Sequence, residues 1–213
     1  MKKDYLLDLI NRMIDDTPSQ SSDQSISWNA HREAEAIDDV TIFPLLREFI
    51  MTRSSKKENQ HRDSAYYILG KVLRNKMDDE YCNYLIKRLT DEDDKYLLMN
   101  MLDRIADLNI SVDIDVSPII MCSKSDKWQI RHSAIRALQA CSTEKSREAL
   151  LFWVNQDDDK KFQYEITFAN AALNCIGLIE DIPFIEKHAF SKRRDVRESA
   201  ILAIESIKKR AIL

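Results

Sequence analysis

A twelve-residue pattern of apolar, small and basic residues recurs along the chain and restricts the folds open to it. Its copies begin at His61, Asp94, Ile130, Glu165 and Val196, at separations of 33, 36, 35 and 31 residues. A period of this size is typical of stacked supersecondary units, in which each copy buries its apolar face against its neighbours. The chain is therefore predicted to be a repeat protein.

The copy between residues 126 and 141 indicates the secondary structure of each unit. Its apolar residues are spaced as one stripe on an α-helix. They are Ile130, Ala134, Ala137, Leu138 and Cys141. The two alanines allow a neighbouring helix to approach closely. Asp126 comes just before the stripe, where its carboxylate can accept the free N–H groups of the first turn.

Shorter apolar segments lie between the copies, and three of them contain a proline followed by large apolar residues. Pro44, Pro118 and Pro183 suit the first turn of a helix, where the missing N–H has no helical partner. Each unit is therefore predicted to be a first helix, a short loop and a second helix. We expect a single domain over 1–213, with a degenerate capping pair in 1–39 and five repeats in 40–213.

Composition excludes several classes of protein. The chain has only two glycines in 213 residues, which argues against hairpin-rich β folds and glycine-rich phosphate loops. Its net charge of −4 has the wrong sign for a protein that grips phosphate backbones, so nucleic acid is not expected as a partner. The chain lacks a long apolar run and a CxxC pair, so we expect no membrane contact and a cytoplasmic location.

Two of the copies resemble a known family. Residues 126–138 contain the pattern D-x-x-x-I-R-x-x-A-x-x-A-L, and residues 195–204 contain D-V-R-x-x-A-x-x-A-I. Both patterns resemble HEAT and HEAT-like repeats, and the resemblance extends over about residues 40 to 210. It implies an all-α fold, a right-handed α-solenoid of about six antiparallel helical pairs whose second helices line the concave face.

The same resemblance implies a ladder of Asp and Arg side chains between repeats. By position the ladder would use Asp126, Arg131, Asp195 and Arg197. The copy that begins at Glu165 lacks both residues, so the ladder is expected to be interrupted there.

One face of the second helices carries the candidate binding residues. Positions three, seven and ten of the pattern point away from the buried stripe and are predicted to face the concave side. The candidate protein-binding residues are Tyr67, Tyr96, Asn100, Asp103, His132, Arg136, Gln139 and Asn174. Tyr and Arg are over-represented at interface hot spots, which favours a binding surface. The alternative is an ordinary solvated helix face.

The loops carry clustered charges that are predicted to line one edge of the solenoid. The acidic ridge consists of Asp91, Glu92, Asp93, Asp157, Asp158 and Asp159. Basic segments at 53–59 and 191–195 flank it. A ridge of this kind would attract a basic partner. The alternative is that these carboxylates cap the helices that follow them.

The sequence contains no catalytic or metal-binding constellation. The four histidines are scattered, and no His-Glu dipeptide occurs, whereas HEAT-like hydroxylases carry repeated His-Glu pairs. No metal or other cofactor is therefore expected. His132 and Ser133 are adjacent, but adjacent residues on a helix point about 100° apart, so they cannot form a base and nucleophile pair by themselves.

The sequence therefore favours a non-catalytic protein-protein interaction module. A specific hypothesis is an immunity or inhibitor protein that binds and neutralises a cognate toxin, for which the acidic loops favour a basic partner. One alternative is a HEAT-like DNA alkylpurine glycosylase that uses Trp128, Tyr96, Asp103 and Arg136, although the negative net charge argues against it. A second alternative is a HEAT-like lyase or chaperone subunit.

Overall fold

The described part of the protein consists of helices joined by loops. A computed structural model describes residues 3–52 and 56–212, apart from the side chain of Lys56, and these residues contain no strand. Residues 53–55 of the predicted basic segment lie outside the described residues. The chain divides into two compact units, Met1–Arg88 and Leu89–Leu213.

The first unit contains two helical pairs and a further helix. Its helices are α1 (Lys3–Met13), α2 (Ile26–Glu35), α3 (Phe43–Met51), α4 (Lys56–Asn75) and α5 (Asp79–Lys87). Helix α1 packs on α2, α3 packs on α4, and α4 also contacts α1 and α2. The core of this unit includes the fully buried Leu6, Leu46 and Tyr66. The second helix of one pair thus packs on the second helix of the next.

The second unit continues the same arrangement. Its helices are α6 (Lys95–Ile105), α7 (Ser117–Cys122), α8 (Trp128–Ala137), α9 (Glu144–Val154), α10 (Gln163–Ile176), α11 (Ile182–Glu186) and α12 (Arg194–Arg210). The contacts run in order from α6 to α8, from α8 to α10 and from α10 to α12. Helices α7, α9 and α11 pack on this row. Two 3-10 segments, Leu138–Ala140 and Lys187–Phe190, each extend the helix before them.

The predicted stripe is confirmed, and its predicted cap is wrong. The buried residues include Ile130, Ala134, Ala137, Leu138 and Cys141. The residue that precedes α8 is Lys127, and no side chain caps the helix there. Asp126 instead offers its backbone carbonyl to Arg131 Nη1 at 3.3 Å. The arginine, one turn into the helix, thus stabilises the loop that an aspartate cap was expected to hold.

The three prolines lie where the sequence predicts them. Pro44, Pro118 and Pro183 occupy the first two positions of α3, α7 and α11. At these positions proline removes no helical hydrogen bond and fixes a favourable φ angle.

Hydrogen bonds between neighbouring repeats reproduce the sequence period. Arg147 Nε donates to Asp181 Oδ2 at 3.0 Å, across 34 residues. His188 Nε2 donates to the Val154 carbonyl at 2.6 Å, again across 34 residues. These bonds satisfy polar groups that the packing of one repeat on the next would otherwise bury without partners.

Candidate functional site

An open groove of about 650 Å³ is lined by side chains of α8, of α10 and of the loop before α10. The lining residues are Trp128, Arg131, His132, Lys161, Tyr164, Glu165 and Phe168. Helix α8 contributes Trp128 and His132, and α10 contributes Tyr164 and Phe168. In each pair the residues are four apart, so both lie on one face of their helix. The groove is thus formed by two matching helix faces in consecutive repeats.

The apolar surface of the groove consists of aromatic rings around His132. The imidazole centroid lies 5.5 Å from that of Trp128, 5.8 Å from that of Tyr164 and 5.3 Å from that of Phe168. Trp128 is 58% exposed and Tyr164 is 61% exposed, although both are large aromatic residues. Rings left open in this way offer a partner apolar area with few rotatable bonds.

A buried ionic cluster holds the groove in shape. The Glu165 carboxylate lies 2.6 Å from Arg131 Nη2, and the same oxygen accepts a hydrogen bond from His132 Nε2 at 3.1 Å. Burial alone would raise the pKa of Glu165, but hydrogen bonds from Arg131 and His132 lower this pKa below its usual value. Arg131 Nη1 also donates to the Ser125 carbonyl at 2.7 Å. The cluster therefore joins α8, α10 and the loop before α8.

The contacts of this cluster show that the predicted ladder is wrong at Glu165. Glu165 was expected to interrupt it, yet the Glu165 carboxylate is the group that pairs with Arg131 of the preceding repeat. A glutamate in the first turn of α10 is long enough to reach that arginine. Arg197 donates to the Ser191 carbonyl at 2.9 Å, just as Arg131 donates to a carbonyl six residues before it. The feature that the two repeats share is thus an arginine that donates a hydrogen bond to a carbonyl of the loop before its own helix.

Of the predicted concave-face residues, His132 alone lines this groove. The prediction that His132 looks outward is wrong in one respect, since its side chain is largely covered and contacts Glu165. The physical reason is that α10 places Tyr164 and Phe168 beside the imidazole ring.

The other predicted residues of the second unit lie elsewhere. Arg136 Nη2 is 3.5 Å from Asp103 Oδ1, in a pair between α8 and α6. Gln139 Nε2 donates to the Ala106 carbonyl at 3.2 Å. Tyr96 is exposed, with Lys95 Nζ 4.7 Å from the centre of its ring. These side chains link repeats or face solvent, and they do not line the groove.

Two predicted residues on helical faces are partly buried. Asn100 on α6 and Asn174 on α10 each have intermediate exposure. The backbone carbonyl of Asn174 accepts a hydrogen bond from Arg210 of α12. Neither asparagine lines the α8–α10 groove.

Tyr67 lies in the first unit and lines a second groove of about 570 Å³. Its hydroxyl donates to Glu35 Oε1 at 2.8 Å, and this hydrogen bond, together with Lys71 and Arg32, lowers the pKa of Glu35 to about 2. Trp28 lines the same groove, and the Arg32 guanidinium lies 4.4 Å from the centre of its ring. Tyr67 and Trp28 therefore each contact a charged side chain that lines the same groove.

The predicted acidic ridge is wrong at Glu92. This residue is buried, and its Oε1 accepts the backbone N–H groups of Asp93 and Asp94 at 3.2 and 3.4 Å. Its carboxylate therefore stabilises its own loop and does not contribute to an exposed ridge. Asp91 and Asp93 are exposed.

The second acidic group also makes contacts within the protein. Asp157 Oδ1 lies 3.3 Å from Lys187 Nζ, and Asp159 accepts a hydrogen bond from the Ser191 hydroxyl. Asp158 Oδ1 accepts two N–H groups of its own loop at 3.1 and 2.9 Å. These three carboxylates contact their own loop, Lys187 or Ser191, and none of them caps α10, whose N-cap residue Phe162 has no side-chain cap, so the capping alternative is wrong for this group.

Two structural features bear on other classes of function. Within residues 3–52 and 56–212, no cluster of three or more His, Cys, Asp or Glu side chains could hold a metal ion. No helix in the described part of the chain has the length and apolar character needed to cross a membrane.

The fold is similar to that of designed repeat proteins. No protein-family model matches the chain, and no curated protein matches it. Among solved structures, the designed armadillo repeat protein YIII(Dq)4CqI has a TM-score of 0.54 at 17% identity, covering 95% of this chain and 99% of that chain. The designed armadillo repeat protein YIII(Dq.V1)4CPAF, in complex with the peptide (KR)4, has a TM-score of 0.54 at 14% identity with the same coverage.

A third structure, of computationally designed armadillo repeat proteins for modular peptide recognition, has a TM-score of 0.54 at 15% identity and covers 94% of this chain and 99% of that chain. Identities this low establish the fold alone. The fold is that of an all-α helical-repeat solenoid, similar to that of designed armadillo repeat proteins, and the predicted fold class is confirmed.

Proposed function

We propose that this chain is a protein-binding repeat module, and that the α8–α10 groove binds a segment of a partner that carries a large apolar side chain. The observation that carries the proposal is the exposure of Trp128 and Tyr164 on either side of an open groove. Buried aromatic anchors supply much of the binding energy at protein interfaces. Similar structures include designed armadillo repeat proteins for modular peptide recognition, which supports peptide binding on this type of fold.

The ionic cluster beneath the rings favours binding further. Glu165, Arg131 and His132 are held to one another before any partner arrives. A groove that is already ordered loses less conformational entropy when it binds. This feature supports a binding role for the two exposed rings.

The test is to replace Trp128 with alanine and to measure the affinity for peptides selected on the wild-type chain from a displayed random library. We expect Trp128→Ala to weaken binding by about tenfold or more, because an anchor ring is lost. Trp28→Ala is the matched control, since Trp28 is also exposed but lies in the other unit. Far-UV circular dichroism checks that both variants keep their helicity.

The proposal fails if no peptide is selected, or if the selected peptides bind Trp128→Ala and Tyr164→Ala as tightly as they bind the wild type. Release of an alkylated base from duplex DNA would instead favour the glycosylase alternative.

A second proposal is that the chain inhibits a cognate toxin with a basic surface, as an immunity protein does. The exposed Asp91 and Asp93, together with the net charge of −4, support attraction of a basic partner. The test is to look for a toxin-like gene beside that of this chain, to mix the chain with its product and to measure the association rate; absence of such a gene would count against this proposal. Charge reversal at Asp91 and Asp93 should slow association, and an unchanged rate would count against this proposal.

A further inference from the structure

The geometry points to an acidic partner for the α8–α10 groove: an extended protein segment in which a large apolar side chain is flanked by carboxylates. This inference rests on the proposed function of the groove as a binding site. It adds the charge of the ligand, which the apolar rings alone do not specify.

The charges that line the groove leave a positive excess. Arg131 and Lys161 are cationic, and Glu165 is the one carboxylate among the lining residues. The Glu165 carboxylate is buried and lies 2.6 Å from Arg131, so these two charges largely cancel at the surface. Lys161 is exposed, and its ammonium group is the lining charge that remains available to a ligand.

The position of Lys161 suits a carboxylate next to an anchor residue. Its Nζ lies 4.8 Å from the centre of the Phe162 ring, which holds the ammonium group near the loop that leads into α10. Tyr164 is three residues further on, so the cation and the exposed ring come from one short stretch of chain. A ligand that places an apolar side chain on Tyr164 would bring its neighbouring residues close to Lys161.

The acidic side chains just before Lys161 in sequence, Asp158 and Asp159, do not line the groove, and Asp159 accepts a hydrogen bond from the Ser191 hydroxyl. Asp158 accepts the backbone N–H groups of Lys160 and Lys161, and it does not line the groove. Lys160 is also exposed, and Lys127 is exposed immediately before Trp128. Counted over the side chains that line it, Arg131, Lys161 and Glu165, the groove is positively charged in a chain whose net charge is −4, so its sign does not follow from the overall composition.

A basic segment and a nucleic acid fit the groove less well. Aromatic rings attract cations, but a cationic ligand would meet Lys161 at the groove while Glu165 is already paired. A phosphate backbone is bound through several cations. Arg131 is already engaged by Glu165 and the Ser125 carbonyl, which leaves one ammonium group in the lining. One carboxylate beside an apolar anchor requires only that group.

The experiment compares three synthetic peptides of equal length with a central phenylalanine, flanked by glutamates, by glutamines or by lysines. Isothermal titration calorimetry measures each affinity for the purified full chain. We expect the glutamate peptide to bind about fivefold or more tightly than the glutamine peptide, and the lysine peptide to bind weakest. Added salt should reduce the difference, because the ammonium group of Lys161 is exposed to solvent.

Lys161→Glu should abolish or invert this order of preference. Lys145→Glu is the matched control, because Lys145 is an exposed lysine of the same unit that does not line the groove, and it should preserve the order. Circular dichroism of both variants confirms that a lost preference does not reflect unfolding.

Each outcome separates this inference from the proposed function. If the three peptides bind equally and Trp128→Ala abolishes their binding, the acidic preference is refuted and the binding groove stands. Tightest binding of the lysine peptide, or of a single-stranded oligonucleotide tested beside the peptides, also overturns the inference. If all three peptides fail to bind and the displayed library yields none that needs Trp128, the groove itself is refuted as a binding site.

Discussion

Replacing Glu165 with glutamine should destabilise the second unit, although the two side chains have nearly the same volume. The glutamate side chain is only 5% exposed, and it lies 2.6 Å from Arg131 Nη2 and 3.1 Å from His132 Nε2. Glutamine keeps one carbonyl oxygen but carries no charge, and its NH₂ group cannot accept a hydrogen bond from either neighbour. The substitution therefore leaves a largely buried guanidinium group without its counter-charge.

The burial and the hydrogen bonds of the Glu165–Arg131 pair determine how much stability the substitution removes. Removing one partner of a fully buried ion pair costs about 3–5 kcal/mol, and a hydrogen bond to a charged group contributes about 1.5–3 kcal/mol. Arg131 is 20% exposed and keeps its bond to the Ser125 carbonyl, so water and that carbonyl offset part of the loss. We expect a loss of about 2–3 kcal/mol, which corresponds to a fall in Tm of about 5–10 °C.

Urea and thermal unfolding followed by far-UV circular dichroism measure this change at neutral pH. Glu198→Gln is the control, because Glu198 lies 2.8 Å from Arg194 in a pair whose two side chains are exposed, and it should leave the unfolding midpoint nearly unchanged. Combining Glu165→Gln with Arg131→Met in a double-mutant cycle isolates the interaction of the pair. A Glu165→Gln variant as stable as Glu198→Gln, or a cycle without coupling, would refute the reasoning.

The same pair predicts how stability depends on pH. Because the folded protein lowers the pKa of Glu165, its contribution is present above the usual glutamate pKa of 4.5 and is lost as the pH falls through the lower folded value. Glu165→Gln should therefore remove part of the acid-induced loss of stability below that pH.

Two further predictions concern the repeats around the groove. Burial lowers the pKa of His188 below 6.5, so the unfolded chain takes up the proton more readily, and stability should fall as the pH drops below 6.5 towards the folded pKa. His188→Gln should flatten that part of the profile in urea midpoints, and an equally steep profile would contradict this. At Gly177 an added Cβ would lie 2.6 Å from the Leu173 carbonyl oxygen and 2.7 Å from Ile207 Cδ1. Gly177→Ala should therefore cost about 1–3 kcal/mol, partly recovered by Ile207→Val, whereas strictly additive effects of the two changes would argue against the clash.

The helical repeat could be predicted from the sequence because its signal is local. The stripe of Ile130, Ala134 and Ala137 reports burial on one helix, and all three residues are buried in the second unit. The prolines Pro44 and Pro118 likewise act within a single turn, and their helices begin there. Spacing along one helix is sufficient for these features, since none of them depends on which side chain lies opposite.

The groove could not be predicted in the same way, because it depends on side chains of two helices. Position three of the pattern correctly places His132 off the buried stripe, but it does not show that Tyr164 and Phe168 lie beside it. The aromatic residues Trp128 and Tyr164 come just before the aligned pattern, in the first turns of consecutive second helices. Large aromatic residues at the starts of two adjacent repeats are the sequence signal that would have indicated the groove.

The net charge of the chain likewise does not predict the charge of the groove. A net charge of −4 counts every carboxylate equally, but Glu92 is buried against its own backbone, Asp157 lies beside Lys187, and Glu165 is paired with Arg131. Of these, Glu165 contributes little field to a ligand at the groove, because Arg131 lies 2.6 Å away and cancels its charge at short range. The field that a ligand meets there is set by exposed charges within about a Debye length, and Lys161 is the nearest. The charge of a ligand that binds in the groove should therefore be inferred from the side chains that line it, whose net sign is opposite to that of the whole chain.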